Sequence, residues 1–160
     1  VVSLQTGGAR LRDGFFELCY DLFMKIGVIG SMHFTERMIE ARDALIAKGH
    51  DAFVTTLAPP FVGLSDEKKQ ARKIEDQMER DAIREFWGLM QGADAVLVMN
   101  FDRHGIKNYI GGNTLLEMGF AHVLGQKIFL FNSLPDIPYY HSEMVAMRPV
   151  VLKGDLSLIH

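Results

Sequence analysis

The chain holds one cysteine, Cys19, in 160 residues. That excludes an internal disulfide framework and a cysteine-based metal cluster. No apolar run approaches the roughly 20 residues that cross a bilayer. A net charge of −3 gives no electrostatic case for a nucleic-acid polymer or an anionic membrane surface. The glycine fingerprints of nucleotide folds are missing too. "GVIG" (27–30) lacks the remaining glycines of G-x-G-x-x-G, and there is no P-loop lysine motif. The six histidines, His33, His50, His104, His122, His141 and His160, show no H-E-x-x-H or other ligand spacing. No metal or organic cofactor is expected.

What is present is a composition ordinary for a folded domain, 48% hydrophobic and 23% charged. The length predicts one domain, and the default compartment is a reducing cytoplasm. Residues 1–23 ("VVSLQTGGARLRDGFFELCYDLF") read as an extension, weakly ordered or an appended helix; the segment is too short and too acidic for a secretory signal. The single α/β domain is expected over residues 24–160.

Strands and helices alternate along it. "KIGVIG" (25–30) is an apolar strand ended by glycine, and "TERMIEARDALIAKG" (35–49) has helical spacing. "DAFVTTL" (51–57) is a second strand, followed by a proline loop at 58–65. Residues 65–92 carry the longest helical pattern, with Ser65 as cap, Gly92 as stop and an apolar stripe of Ile74, Met78, Ala82, Phe86 and Met90. Its charges at 66–85 are most simply a solvated face. "ADAVLVMN" (93–100) is a buried strand, "NTLLEMGFAHVLG" (113–125) a helix, "KIFLFN" (127–132) a fourth strand and "PVVLKG" (149–154) a fifth. "HSEMVAM" (141–147) is a candidate short helical turn. This order predicts a flavodoxin-like (Rossmann-like) three-layer α/β/α fold with a five-stranded parallel sheet. The abundant Met and Phe read as core.

Ligands of such sheets collect at the carboxyl ends of the strands. That picks out four segments: "GSMHF" after the first strand, the 58–65 loop, "NFDRHG" after the third strand and "NSLPD" after the fourth. The candidate substrate-binding residues are Gly30, Ser31, His33, Asn100, Tyr109, Gly111, Gly112, Asn113 and Thr114. Gly111 and Gly112 let backbone approach a ligand closely, and the helix N–H groups that follow can meet an anion or hydroxyls. His33 and His104 are the histidines on ligand-side loops; a loop histidine without a role is as good a reading of each. Glu117 is either an acid stabilised by the helix dipole or an acid facing a ligand. Its neighbours Leu115, Leu116, Met118, Gly119, Phe120 and Ala121 are so apolar that the second reading leads. Asp102 either caps the turn around "DRHG" or faces the same cleft, giving two carboxyl groups of the kind used at a sugar carbon.

These residues carry a resemblance. "ADAVLVMNFD" with "GGNTLLEMGFAHVLGQKIFLF" resembles the nucleoside 2-deoxyribosyltransferase superfamily, which includes the 2'-deoxynucleoside 5'-phosphate N-hydrolases. The matching features are a strand ending in Asp102, a loop with Thr114, Glu117 in an E-x-G-x-A setting, the turn at Gly125–Lys127, and the opening strand with Gly30 and Ser31. The likeness covers roughly Lys25 to Asn132. It implies cleavage or transfer at the N-glycosidic bond of a nucleoside or nucleotide, with Glu117 as nucleophile and Asp102 holding the sugar or helping to protonate the base. It also implies a homodimer or higher homo-oligomer. The family's transferases carry Asp six residues before the Glu and Gly four before it; here these are Gly111 and Asn113. Their tyrosine-rich loop after the first strand is "SMHF" here, leaving Tyr109 as a substitute tyrosine. The alternative function is a non-catalytic nucleotide-binding or sensor domain on the same scaffold. A receiver-type domain is set aside, since "GSMHF" has no acids.

Overall fold

The computed structural model describes residues 23–160. The expectation for residues 1–22 lies outside them. Five strands form one parallel sheet: β1 (Lys25–Gly30), β2 (Asp51–Phe53), β3 (Ala95–Met99), β4 (Lys127–Leu130) and β5 (Val150–Val151). Their spatial order is β2-β1-β3-β4-β5. It is one of the two common doubly wound orders, in which the chain turns outward in opposite directions from β1 and β3.

Alternation along the strands builds two cores. Ile26 and Val28 of β1, with Ala95, Leu97 and Met99 of β3, face α1 (Thr35–Ala47), which contributes Met38, Ala41 and Leu45. Ile29, Val96, Val98, Ile128 and Leu130 face the other way, toward three helices: α3 (Ala82–Met90), α4 (Gly112–Val123) and α5 (His141–Ala146). All five residues of β3 are buried, as a central parallel strand covered on both faces requires. The three-layer α/β architecture expected from the sequence is therefore present. The second and fifth strands are shorter than their apolar runs. Among the described residues, no helix is long and apolar enough to cross a membrane.

The long helix expected over 65–92 is two helices. α2 (Asp66–Glu79) begins at Ser65, whose hydroxyl accepts the Lys68 N–H, and ends at Arg80. Asp81 then adopts a left-handed conformation (φ 47°) and caps α3 by accepting the Arg84 N–H. Asp tolerates this conformation better than most residues. The joint rotates the apolar stripe out of register. Phe86 and Met90 stay buried, but Ile74 and Met78 are 49% and 83% exposed. The residues that α2 buries are instead Lys69 and Asp76, and no α2 residue belongs to either apolar core.

Candidate functional site

A cavity opens at the carboxyl ends of β1 and β3, where the connections diverge to opposite faces of the sheet. Its empty space, open mouth included, is about 860 Å³. Glu117 lies in its wall. It is the sixth residue of α4, past the first turn over which a helix dipole acts. Counting from buried Thr114, it sits at the i+3 position, beside Met118 and Ala121 on the stripe turned toward the sheet. Its side chain is half-buried, with part of its surface left open to the cavity. The loss of hydration pushes its pKa up to about 8, with the Glu85 carboxylate adding repulsion and Lys73 pulling the other way.

Around the acid, the cavity gathers most of the residues singled out from the sequence. Gly30, Ser31 and His33 come from the β1 end, and Tyr109, Gly111, Asn113 and Thr114 from the segment that leads into α4. A Cβ on Gly30 would lie 2.9 Å from the Met99 carbonyl, so only glycine lets β1 and the end of β3 run this close. Ser31 caps the short 3-10 turn that follows, and its hydroxyl lies 3.3 Å from His33 Nδ1. Burial, then the Arg103 guanidinium, hold His33 below the ordinary histidine range. Its Nε2 is buried with no hydrogen-bond partner among the described residues.

Three candidates lie elsewhere. Asp102 is exposed, does not line the cavity, and accepts the Asn108 N–H at 2.9 Å. It caps the turn, so the second carboxyl group expected in the cleft is not this one. Asn100 is fully buried beneath the site. Its amide donates to the carbonyls of Asn108, Asn132 and Ser133, and its oxygen accepts the Asn132 N–H, so it laces the β3 and β4 ends together. Gly112 is exposed and outside the cavity lining.

Other lining residues were not named one by one from the sequence, although Phe61 lies in the 58–65 loop and Arg103 in "NFDRHG"; no residue of "NSLPD" lines the cavity. α2, read as a solvated face, supplies Gln70, Lys73, Asp76 and Gln77 to one wall. Asp76 is 4% exposed, with Arg80 at 3.4 Å and Arg72 at 3.7 Å. Phe61, Phe86 and Phe120 are among the cavity's apolar lining residues. Arg103 lines the cavity and reaches Asp66 at the start of α2, 3.8 Å away. The available signal for Asp76 was the pair of arginines at i−4 and i+4, a pattern that lets an acid be buried.

Among the described residues, no group of three His, Cys, Asp or Glu side chains is placed to hold a metal ion. Compared with known proteins, the chain matches no family model and no curated protein.

Proposed function

We propose that the protein cleaves, or transfers the sugar across, the N-glycosidic bond of a nucleoside or nucleotide, with Glu117 as nucleophile. The observation that carries this is the Glu117 carboxyl group, half-buried with its pKa raised by lost hydration, and set in the wall of a cleft at the switch point of the sheet. A carboxylate oxygen attacks the anomeric carbon, the C–N bond breaks, and its electron pair leaves with the base. Water or a second base then takes the sugar from the ester, restoring the carboxylate. Most Glu117 is protonated at neutral pH. Positive charge growing on the sugar favours its ionised form, and a poorly hydrated carboxylate is a reactive one.

The test is a panel of ribo- and 2'-deoxyribonucleosides and their 5'-monophosphates, assayed for free base. Wild type is expected to release base from at least one, and Glu117→Gln and Glu117→Ala, still folded, from none. Full activity of the Glu117 variants would remove the assignment.

The second reading is a nucleotide-binding or sensor domain without turnover. It draws on Asp102, which lies outside the cleft and leaves the expected carboxyl pair incomplete. A panel member that raises the melting temperature of wild type without being consumed would favour it.

A further inference from the structure

Gly111 precedes α4 with an ordinary extended backbone, φ −84° and ψ 169°. Conformation alone does not call for glycine there. Space does. A Cβ at this position would lie 3.2 Å from Tyr109 Cε1, 3.3 Å from the Tyr109 hydroxyl and 3.5 Å from Cζ. The phenol therefore lies closer to residue 111 than a Cβ ordinarily permits, and a side chain there would press it aside by a few tenths of an ångström.

Tyr109 is held there through its neighbours. Its N–H donates to the Phe101 carbonyl at 2.9 Å. Ile110 is buried, and its carbonyl accepts the Tyr140 hydroxyl at 2.7 Å. The His104 ring meets the Tyr109 ring edge-on, with centroids 5.3 Å apart. A phenol fixed in this way is preorganised, and it lines the same cavity as Glu117.

Resting on the N-glycosidic reading above, we propose that Tyr109 is the acid of this site: its hydroxyl protonates the departing base, and residue 111 is glycine to admit it. As a Glu117 oxygen bonds to the anomeric carbon, the C–N bond breaks. Its electron pair goes to the base nitrogen, which takes the Tyr109 proton. On return, the attacking water gives a proton to the phenolate while its oxygen bonds to the anomeric carbon. As that bond forms, the Glu117–sugar bond breaks and its electron pair restores the carboxylate. The products are free base and free sugar, with water the only co-reactant. The other acids nearby are engaged: Asp76 with Arg72 and Arg80, Glu85 with the Thr55 and Thr56 hydroxyls, and Asp102 with the Asn108 N–H.

The experiment compares wild type, Tyr109→Phe, Gly111→Ala, their double variant and Glu117→Gln on two substrates. One is the panel nucleoside or nucleotide released fastest. The other is the 4-nitrophenyl glycoside of the same sugar, whose leaving group departs without a proton. Tyr109→Phe is expected to lower base release by about 10²–10³-fold while nitrophenolate release stays near the wild-type rate. Gly111→Ala, whose Cβ presses on the phenol, should fall in the same direction by a smaller factor and add no further loss to Tyr109→Phe. Glu117→Gln should abolish both reactions. Tyr109→Phe with full base release, or with equal losses on both substrates, overturns the assignment of Tyr109. In the first case, loss of both reactions in Glu117→Gln leaves the N-glycosidic reading standing. Wild type inert on both substrates defeats that reading, and the role of Tyr109 with it.

Discussion

Lys69 of α2 donates to Glu36 of α1 across 2.6 Å, and the same ammonium reaches the His33 carbonyl at 3.4 Å. Glu36 also accepts the Gly63 N–H at 3.0 Å. One carboxylate thus joins α1, the loop before α2 and α2 itself, which otherwise stands outside the apolar cores. Hydrogen bonding from Lys69 holds the Glu36 carboxyl below the usual carboxylate range. The stability linked to it is present at neutral pH and is lost as pH falls through that lowered value. Glu36→Ala leaves a buried ammonium unpaired and should cost about 1–3 kcal/mol. Hydrogen exchange should quicken in α2 before it does in β1 or β3. Adding Lys69→Met to that variant should recover part of the loss. Unchanged α2 exchange in Glu36→Ala would mean that the helix is held by something else.

Glu117 sets an opposite dependence on pH. Its folded pKa lies above the value of an unfolded chain, so the native state holds the extra proton between them. The associated stability is complete below pH 4.5, declines as pH rises, and is gone above about 8. With the acid moving from 4.5 to about 8, and about 1.4 kcal/mol per pH unit, the ionised form costs the fold roughly 4–5 kcal/mol. Glu117→Gln should match wild type in denaturant midpoint near pH 5 and exceed it at pH 8.5. Parallel pH profiles for the two proteins would show that the carboxyl group is better hydrated than its surroundings indicate.

The same titration separates nucleophile from acid in catalysis. A nucleophile works ionised, so kcat/KM for base release should climb with pH and level off above about 8. A profile that instead falls through that region would make Glu117 the proton donor and require another group to attack the sugar.

Asp102 and Asn100 should separate equally cleanly. Asp102→Asn keeps an acceptor for the Asn108 N–H, so kcat is expected to stay close to wild type, with a stability loss under about 1 kcal/mol. Asn100→Asp turns an amide donor facing three carbonyls into an acceptor. It should lose about 2–4 kcal/mol in chemical denaturation. A large loss of kcat in Asp102→Asn, without loss of stability, would return that acid to the chemistry.

The sheet and the end of it that carries the cavity were legible because parallel strands buried on both faces leave unbroken apolar runs, as in "AVLVM". Glu117 stood out as an acid among apolar neighbours, although its helix is less buried than they suggest, with Leu116 and Val123 47% and 80% exposed. The roles of Asn100 and Asp102 were not. Both are polar residues at one strand end, and their fates depend on which side each presents, a fact of the turn rather than of the pattern. The break at Asp81 was hidden because Ala82, Phe86 and Met90 continue the four-residue spacing of Ile74 and Met78 across a joint made by a single dihedral. Lys69 and Asp76 were missed because a charge-rich stretch looks the same whether its charges meet water or each other.

The wall formed by α2 has a thermodynamic consequence. Apolar exposure raises the heat capacity and polar exposure lowers it. Freeing α2 from the domain wets mainly Lys69, Asp76 and their partners, whereas global unfolding wets the two apolar cores. Local opening of this wall therefore carries little heat-capacity change, and its free energy should run nearly straight with temperature. The stability of the whole domain should instead follow the usual dome, so in the cold the wall and the body of the protein part company.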